Sequence, residues 1–149
     1  QRQMCIRDSS MAGMRIGYAM GNKRLIQAMT DVKESINSYT MTRESIVLGA
    51  ASLADEEYFQ EKKQMVVATR ERTKEELRRR GFEVLDSSAN FLFAKPNSVD
   101  AGWLFEELKK EKIFVRHFNG ERIKDYLRIS IGTDQQMDCL LQAIDRIMA

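Results

Sequence analysis

Between Asp55 and Arg80 the chain runs for twenty-six residues, DEEYFQEKKQMVVATRERTKEELRRR, without a glycine or a proline. A strand of that length is rare, and the stretch lacks the residues that make turns, so it predicts one long helix. Its dense charges and sparse apolar positions, Phe59, Met65, Val66 and Leu77, predict a largely solvated helix that connects two bodies. The run Arg78-Arg79-Arg80 complements the helix dipole at the C-terminal end, and Gly81 follows as the left-handed cap. No interleaved aromatics accompany the triplet, which argues against a nucleic-acid patch.

On either side of this helix the hydrophobic pattern differs. Met14 to Met20 reads as a strand entering a Gly21-Asn22 turn, and Lys23 to Ser35 carries Leu25, Ile26, Met29 and Val32 at helical spacing. A second helix follows Thr42, where Arg43 to Ala54 is rich in Ala, Leu and Ile and is expected to be buried on most sides. After Gly81 come strand-like segments at 82–85 and 90–95. Ser98 is then expected to cap a helix whose apolar positions are Ala101, Leu104, Phe105 and Leu108. Two more strands are expected at 113–118 and 126–131. A capping box from Thr133 to Gln136 opens a last helix that buries Met137, Leu140, Leu141, Ile144 and Ile147. The order ββαββα describes a compact unit of about 70 residues, a plausible domain by size.

Composition removes several function classes. Twenty-four basic residues against twenty-two acidic ones leave a net charge of +2, spread along the chain, so no polyanionic partner such as nucleic acid is expected. Two cysteines, Cys5 and Cys139, and one histidine, His117, lack any metal-ligand spacing. No apolar run approaches the roughly 18 residues of a membrane span, so a soluble, cytoplasmic protein without a membrane partner is expected.

Three arginines could carry chemistry. In YLRISI, Leu127, Ile129 and Ile131 share one face and Tyr126, Arg128 and Ser130 the other; Arg128 is there either an ordinary solvated side chain or an anion ligand. In IFVRHF, Phe114, Arg116 and Phe118 share a face, which would set a guanidinium between two rings, or let it snorkel past them to solvent. Ala12 to Gly17, AGMRIG, places Arg15 on a glycine-rich turn of the kind that brings donors close to a phosphate. His117 points away from Arg116 and is given no role.

SMAGMRIGYAMGN, DVKESINSYTMTR, ANFLFAKP, IFVRHF and DYLRISIGTDQQM stand in the order and near the spacing found in histidinol-phosphate aminotransferases, which this chain resembles from Ser10 to Ala149. The resemblance implies an α/β fold, the C-terminal part of an aspartate aminotransferase-like transferase that uses pyridoxal 5′-phosphate. Residues 10–54 would end the cofactor-binding large domain, 55–80 would be the connecting helix, and 81–149 the small domain. It also implies a homodimeric parent enzyme that exchanges an amino group between histidinol phosphate and 2-oxoglutarate, or between glutamate and imidazole-acetol phosphate, in histidine biosynthesis. Arg15 matches the arginine that binds the cofactor phosphate. Arg128 matches the arginine that pairs with the substrate carboxylate, and Arg116 one near the substrate's distal phosphate.

The family's Schiff-base lysine stands eight positions before the phosphate-binding arginine, a place taken here by Arg7. A guanidinium stays protonated and is a poor nucleophile, so the chain is expected to be inactive alone. Residues 1–9 depart from the family throughout, and MCIRDS is what a widely used library-preparation transposon end encodes in one reading frame. Those residues are therefore expected to be adapter-derived. The alternatives are a sister enzyme, such as a threonine-phosphate decarboxylase or an aromatic aminotransferase, and a non-catalytic binding module.

Overall fold

The structure is a computed structural model and describes Arg2–Cys5 and Ile16–Met148. Backbone contacts divide the chain into two units, 1–63 and 64–149, so the division falls inside the long helix.

In the first unit, β1 (Arg2–Cys5) pairs antiparallel with β2 (Gly17–Met20), Arg2 opposite Met20 and Cys5 opposite Gly17. Asn22 caps α1 (Lys23–Ile36), its side-chain oxygen accepting from the Arg24 amide at 2.9 Å. Thr42 caps α2 (Arg43–Ala54) in the same way through the Ser45 amide at 3.2 Å. The expectation that α2 is buried on most sides does not hold. Only Ser45 and Gly49 of α2 are buried, while Ile46, Val47, Leu48 and Leu53 are exposed. Its apolar residues point all round the helix, and composition alone does not say whether neighbours cover them. The apolar stripe of α1, from Leu25 through Met29, Val32 and Ile36, is exposed as well.

The long helix, α3 (Glu56–Arg79), ends as its sequence predicts, with Gly81 at φ +82°. Its buried stripe, however, is largely polar: Thr69, Arg70 and Thr73 precede Leu77. Each polar member has a partner. The Thr73 hydroxyl donates to the Thr69 carbonyl at 2.7 Å, and Thr69 donates to Asp134 at 2.8 Å. Arg70 donates to the Ala89 carbonyl at 3.0 Å. Back-bonding of this kind lets threonine occupy a helix face turned inward.

The rest of the second unit has two layers. Strands β3 (Phe82–Val84), β4 (Phe91–Pro96), β5 (Arg116–His117) and β6 (Leu127–Ser130) form one antiparallel sheet in the order β3-β4-β6-β5. Helices α4 (Ala101–Lys110) and α5 (Asp134–Met148) complete the ββαββα order, and their buried residues join the core behind the sheet. Alternation turns Phe82, Val84, Leu92, Ala94, Leu127 and Ile129 into that core, where they meet Leu77, Leu104, Leu108 and Leu140. Two local expectations are corrected. The cap of α4 is Asp100, which accepts from the Trp103 amide at 2.8 Å, and not Ser98. The strand expected over 113–118 is confined to Arg116–His117, which pair with Arg128 and Leu127 of β6.

The capping box of α5 forms on both sides: Gln136 accepts from the Thr133 amide at 2.9 Å and its own amide donates to the Thr133 hydroxyl at 3.3 Å. Helices α3 and α5 are joined by ion pairs, Arg72 to Asp134 and Asp138, and Arg80 to Asp145. The basic triplet after Glu76 is thus bound to carboxylates, Arg78 to Glu75, and Arg79 and Arg80 to Glu76.

Candidate functional site

The face of the sheet opposite the core carries the site. Strand register places Phe93 opposite Arg128, and Arg128 opposite Arg116, so a ring and two guanidiniums stand in a row across β4, β6 and β5. Phe91, opposite Ser130, lies on the same face one step along. Like charges facing one another across a strand pair are unfavourable, and a fold that keeps them there has something to offset the repulsion.

Part of the offset is aromatic. The guanidinium carbon of Arg128 lies 5.4 Å over the Phe91 ring and 5.8 Å from that of Phe118. Arg116 sits 5.1 Å over Phe118. Phe93 stacks on Tyr126 at 5.0 Å with an interplanar angle of 3°, and tilts against Phe118 at 6.3 Å. Tyr126 in turn donates to Glu83 at 3.0 Å, and that carboxylate raises the phenol's pKa.

Rings cannot satisfy the edge of a guanidinium. The Nε of Arg128 is buried and has no hydrogen-bond partner, the one such side-chain atom among the described residues. The contrast with other described arginines is sharp. Arg70, Arg72, Arg78, Arg79, Arg80 and Arg146 each hold a carboxylate. Arg24, Arg43 and Arg122 hold none but stand exposed to solvent. A buried donor left unpaired costs about 1–3 kcal/mol, more when charged, so an acceptor that reached the Arg128 Nε would recover that cost. An oxyanion that takes two parallel N–H bonds fits that edge.

The alternation of YLRISI places Arg128 on the face away from the core, and the structure has it there, with Leu127 and Ile129 turned inward. For IFVRHF the reading held in half: Phe118 lies against Arg116, but Phe114 is 78% exposed and no part of the cluster, since the strand does not extend back to it. Phe91 was not singled out from the sequence; its place one pair from Arg128 emerges only from the register of β4 on β6. His117 is structural, its Nε2 donating to the Lys124 carbonyl at 2.6 Å and its ring 5.9 Å from Phe105. Arg7 and Arg15 lie outside the described residues. A cleft of about 530 Å³ beside Ile113, Phe114, Ile131, Gln136 and Met137 involves neither guanidinium. Among the described residues no group of His, Cys, Asp and Glu could hold a metal, and no helix is long and apolar enough to cross a membrane.

The chain superposes on the crystal structure of histidinol-phosphate aminotransferase from Sinorhizobium meliloti in complex with pyridoxal-5′-phosphate. The TM-score is 0.78 at 27% identity, over 93% of this chain and 39% of that one. Its architecture is therefore that of the fold-type I aminotransferases. The chain belongs to the aminotransferase class I and II family, whose model matches residues 7–144. It is 44% identical over 147 residues to histidinol-phosphate aminotransferase of Clostridium acetobutylicum, covering 99% of this chain and 42% of the relative. Identity with histidinol-phosphate aminotransferase 2 of Burkholderia mallei is 46% over 140 residues, 94% of this chain and 39% of that protein. The chain thus spans about two fifths of the length of these relatives.

Proposed function

We propose that this chain is the carboxylate- and phosphate-recognising portion of a cytoplasmic, homodimeric histidinol-phosphate aminotransferase, exchanging an amino group between histidinol phosphate and 2-oxoglutarate. The observation that carries the reading is the buried, unpartnered Nε of Arg128 beside Arg116, on a chain 44% identical to a protein of that name. The unpaired edge fits a substrate carboxylate, and the donor set of two arginines fits a substrate with a second anionic group.

Residues 10–54 close the large domain, 55–80 connect, and 81–149 form the small domain that presents these arginines. Arg128 takes the α-carboxylate of the amino donor and orients its Cα. Arg116, exposed at the edge of the sheet, meets the phosphate of histidinol phosphate. Arg15, in AGMRIG, would hold the phosphate of pyridoxal 5′-phosphate. That cofactor, when bound, supplies the electron sink for loss of the Cα proton. Arg7 stands where the family has its lysine; it stays protonated, offers no free amine and cannot carry that proton, so this chain is inactive alone.

A chimera tests the reading. Residues 10–149 would replace the matching segment of the Clostridium acetobutylicum relative, leaving that protein's own upstream sequence in place. The chimera is expected to form histidinol phosphate from imidazole-acetol phosphate with glutamate as donor. Arg128→Ala within it should raise the KM for glutamate at least tenfold, in keeping with the loss of about 1.5–3 kcal/mol for a hydrogen bond to a charged group. An unchanged KM would remove Arg128 from the carboxylate site.

A further inference from the structure

We infer that Phe118 is a positioning residue for the anion site, its ring holding both guanidiniums so that the edge of Arg128 stays free for the ligand. The inference rests on the proposed anion site and adds a residue that takes no part in ligand contact.

Arg116 and Arg128 face one another across β5 and β6, and no carboxylate among the described residues pairs with either. Without a counter-charge each would swing toward solvent, and a long, mobile arginine loses affinity through the entropy of being fixed. The Phe118 ring lies within cation–π range of both, at 5.1 Å from Arg116 and 5.8 Å from Arg128. Phe91 meets Arg128 at 5.4 Å, so two rings lie within cation–π range of its guanidinium while Nε remains without a partner. A carboxylate in place of the rings would compete with the ligand for the same N–H groups; an aromatic ring steadies the cation and leaves them open.

Phe118 is itself held in place. It follows β5 directly, and Phe93 packs against it at 6.3 Å. The neighbouring His117 ties the chain to the Lys124 carbonyl at 2.6 Å, closing the turn that contains Gly120.

The test uses the whole chain, with arginine Nε–H resonances followed by NMR during titration with 2-oxoglutarate. In the unmodified chain the Arg128 Nε–H signal is expected to shift on titration, and Arg128→Lys to abolish that response. Phe118→Leu keeps apolar bulk but removes the π face, and should weaken binding roughly 3- to 30-fold, the range of one or two cation–π contacts. Phe118→Tyr should restore it, while urea midpoints report folding separately. Equal affinity of the Leu variant and the unmodified chain overturns the positioning role even if Arg128→Lys abolishes binding. No response in the unmodified chain overturns the anion site and this inference together. Should Phe118→Leu fail to fold, ring-current displacement of the Arg116 and Arg128 Nε–H signals in the unmodified chain decides: its presence supports the role, its absence removes it.

Discussion

Gly132 shows how much one hydrogen atom can matter. A Cβ at that position would come within 2.3 Å of the Gln136 Oε1, the oxygen that accepts from the Thr133 amide. Gly132→Ala is therefore expected to expel the Gln136 side chain and cost about 1 kcal/mol, the usual value of a helix cap. A urea titration of the variant checks this, and an unaltered midpoint would mean the cap reforms elsewhere. At Gly81 the reason differs: no atom lies within 4 Å of an added Cβ, but φ is +82°. Gly81→Ala should cost about 1–2 kcal/mol through backbone strain alone, and Gly81→Asn less, as a lower urea midpoint for alanine than for asparagine would show.

At the scale of elements, the pairing of α3 with α5 makes the second unit sensitive to acid. Arg80 holds the Asp145 carboxyl below its ordinary value of 3.8 and the Glu76 carboxyl below 4.5; Lys74, with help from Arg78, does the same to Asp86. A depressed carboxylate stabilises the fold fully above its unfolded pKa, and that stability is lost as pH falls through the folded one. The urea midpoint should accordingly be level from pH 7 to about pH 5 and decline below pH 4. Arg80→Ala should flatten the decline, and an identical pH profile for the variant would show that these exposed pairs contribute nothing.

The elements also show what was legible in advance. The helix after Thr42, the cap at Thr133, the long helix and the ββαββα order follow from patterns within single segments. The burial of Thr69 and Thr73 was not legible, because a polar residue turns inward only where a partner waits, and Asp134 lies far away in sequence. Phe91 was missed for a related reason. Its nearness to Arg128 depends on the register between β4 and β6, which no one segment encodes. Even the failed cap at Ser98 is instructive, since Asp100 two residues later offers the same chemistry nearer the first helical turn.

Across the whole molecule the two units differ in how well they cover their own apolar surface. The second has a continuous core from Leu77 to Ile144, with Leu77, Leu92, Leu104, Leu108 and Leu127 at zero exposure. Leu104→Ala should cost about 2–5 kcal/mol there and lower the urea midpoint accordingly. In the first unit, Val32, Ile36, Val47 and Leu53 are each at least 60% exposed. Surfaces of that kind bind hydrophobic dyes and one another. Val47→Glu combined with Leu53→Glu is expected to lower both dye fluorescence and self-association by light scattering, without shifting the transition of the second unit.

The sheet order β3-β4-β6-β5 also governs what kind of neighbour the second unit can accept. Its two outermost ribbons are β3, three residues long, and β5, two. Open rims are where stray chains add themselves and fibrils begin, and short, charged rims are a known guard. Here each rim offers a visiting backbone too few free amides to settle on, and Arg116 stands at one of them. Contact with this unit is thereby left to side chains on its faces, and the face that carries Arg116 and Arg128 stays open without inviting a strand.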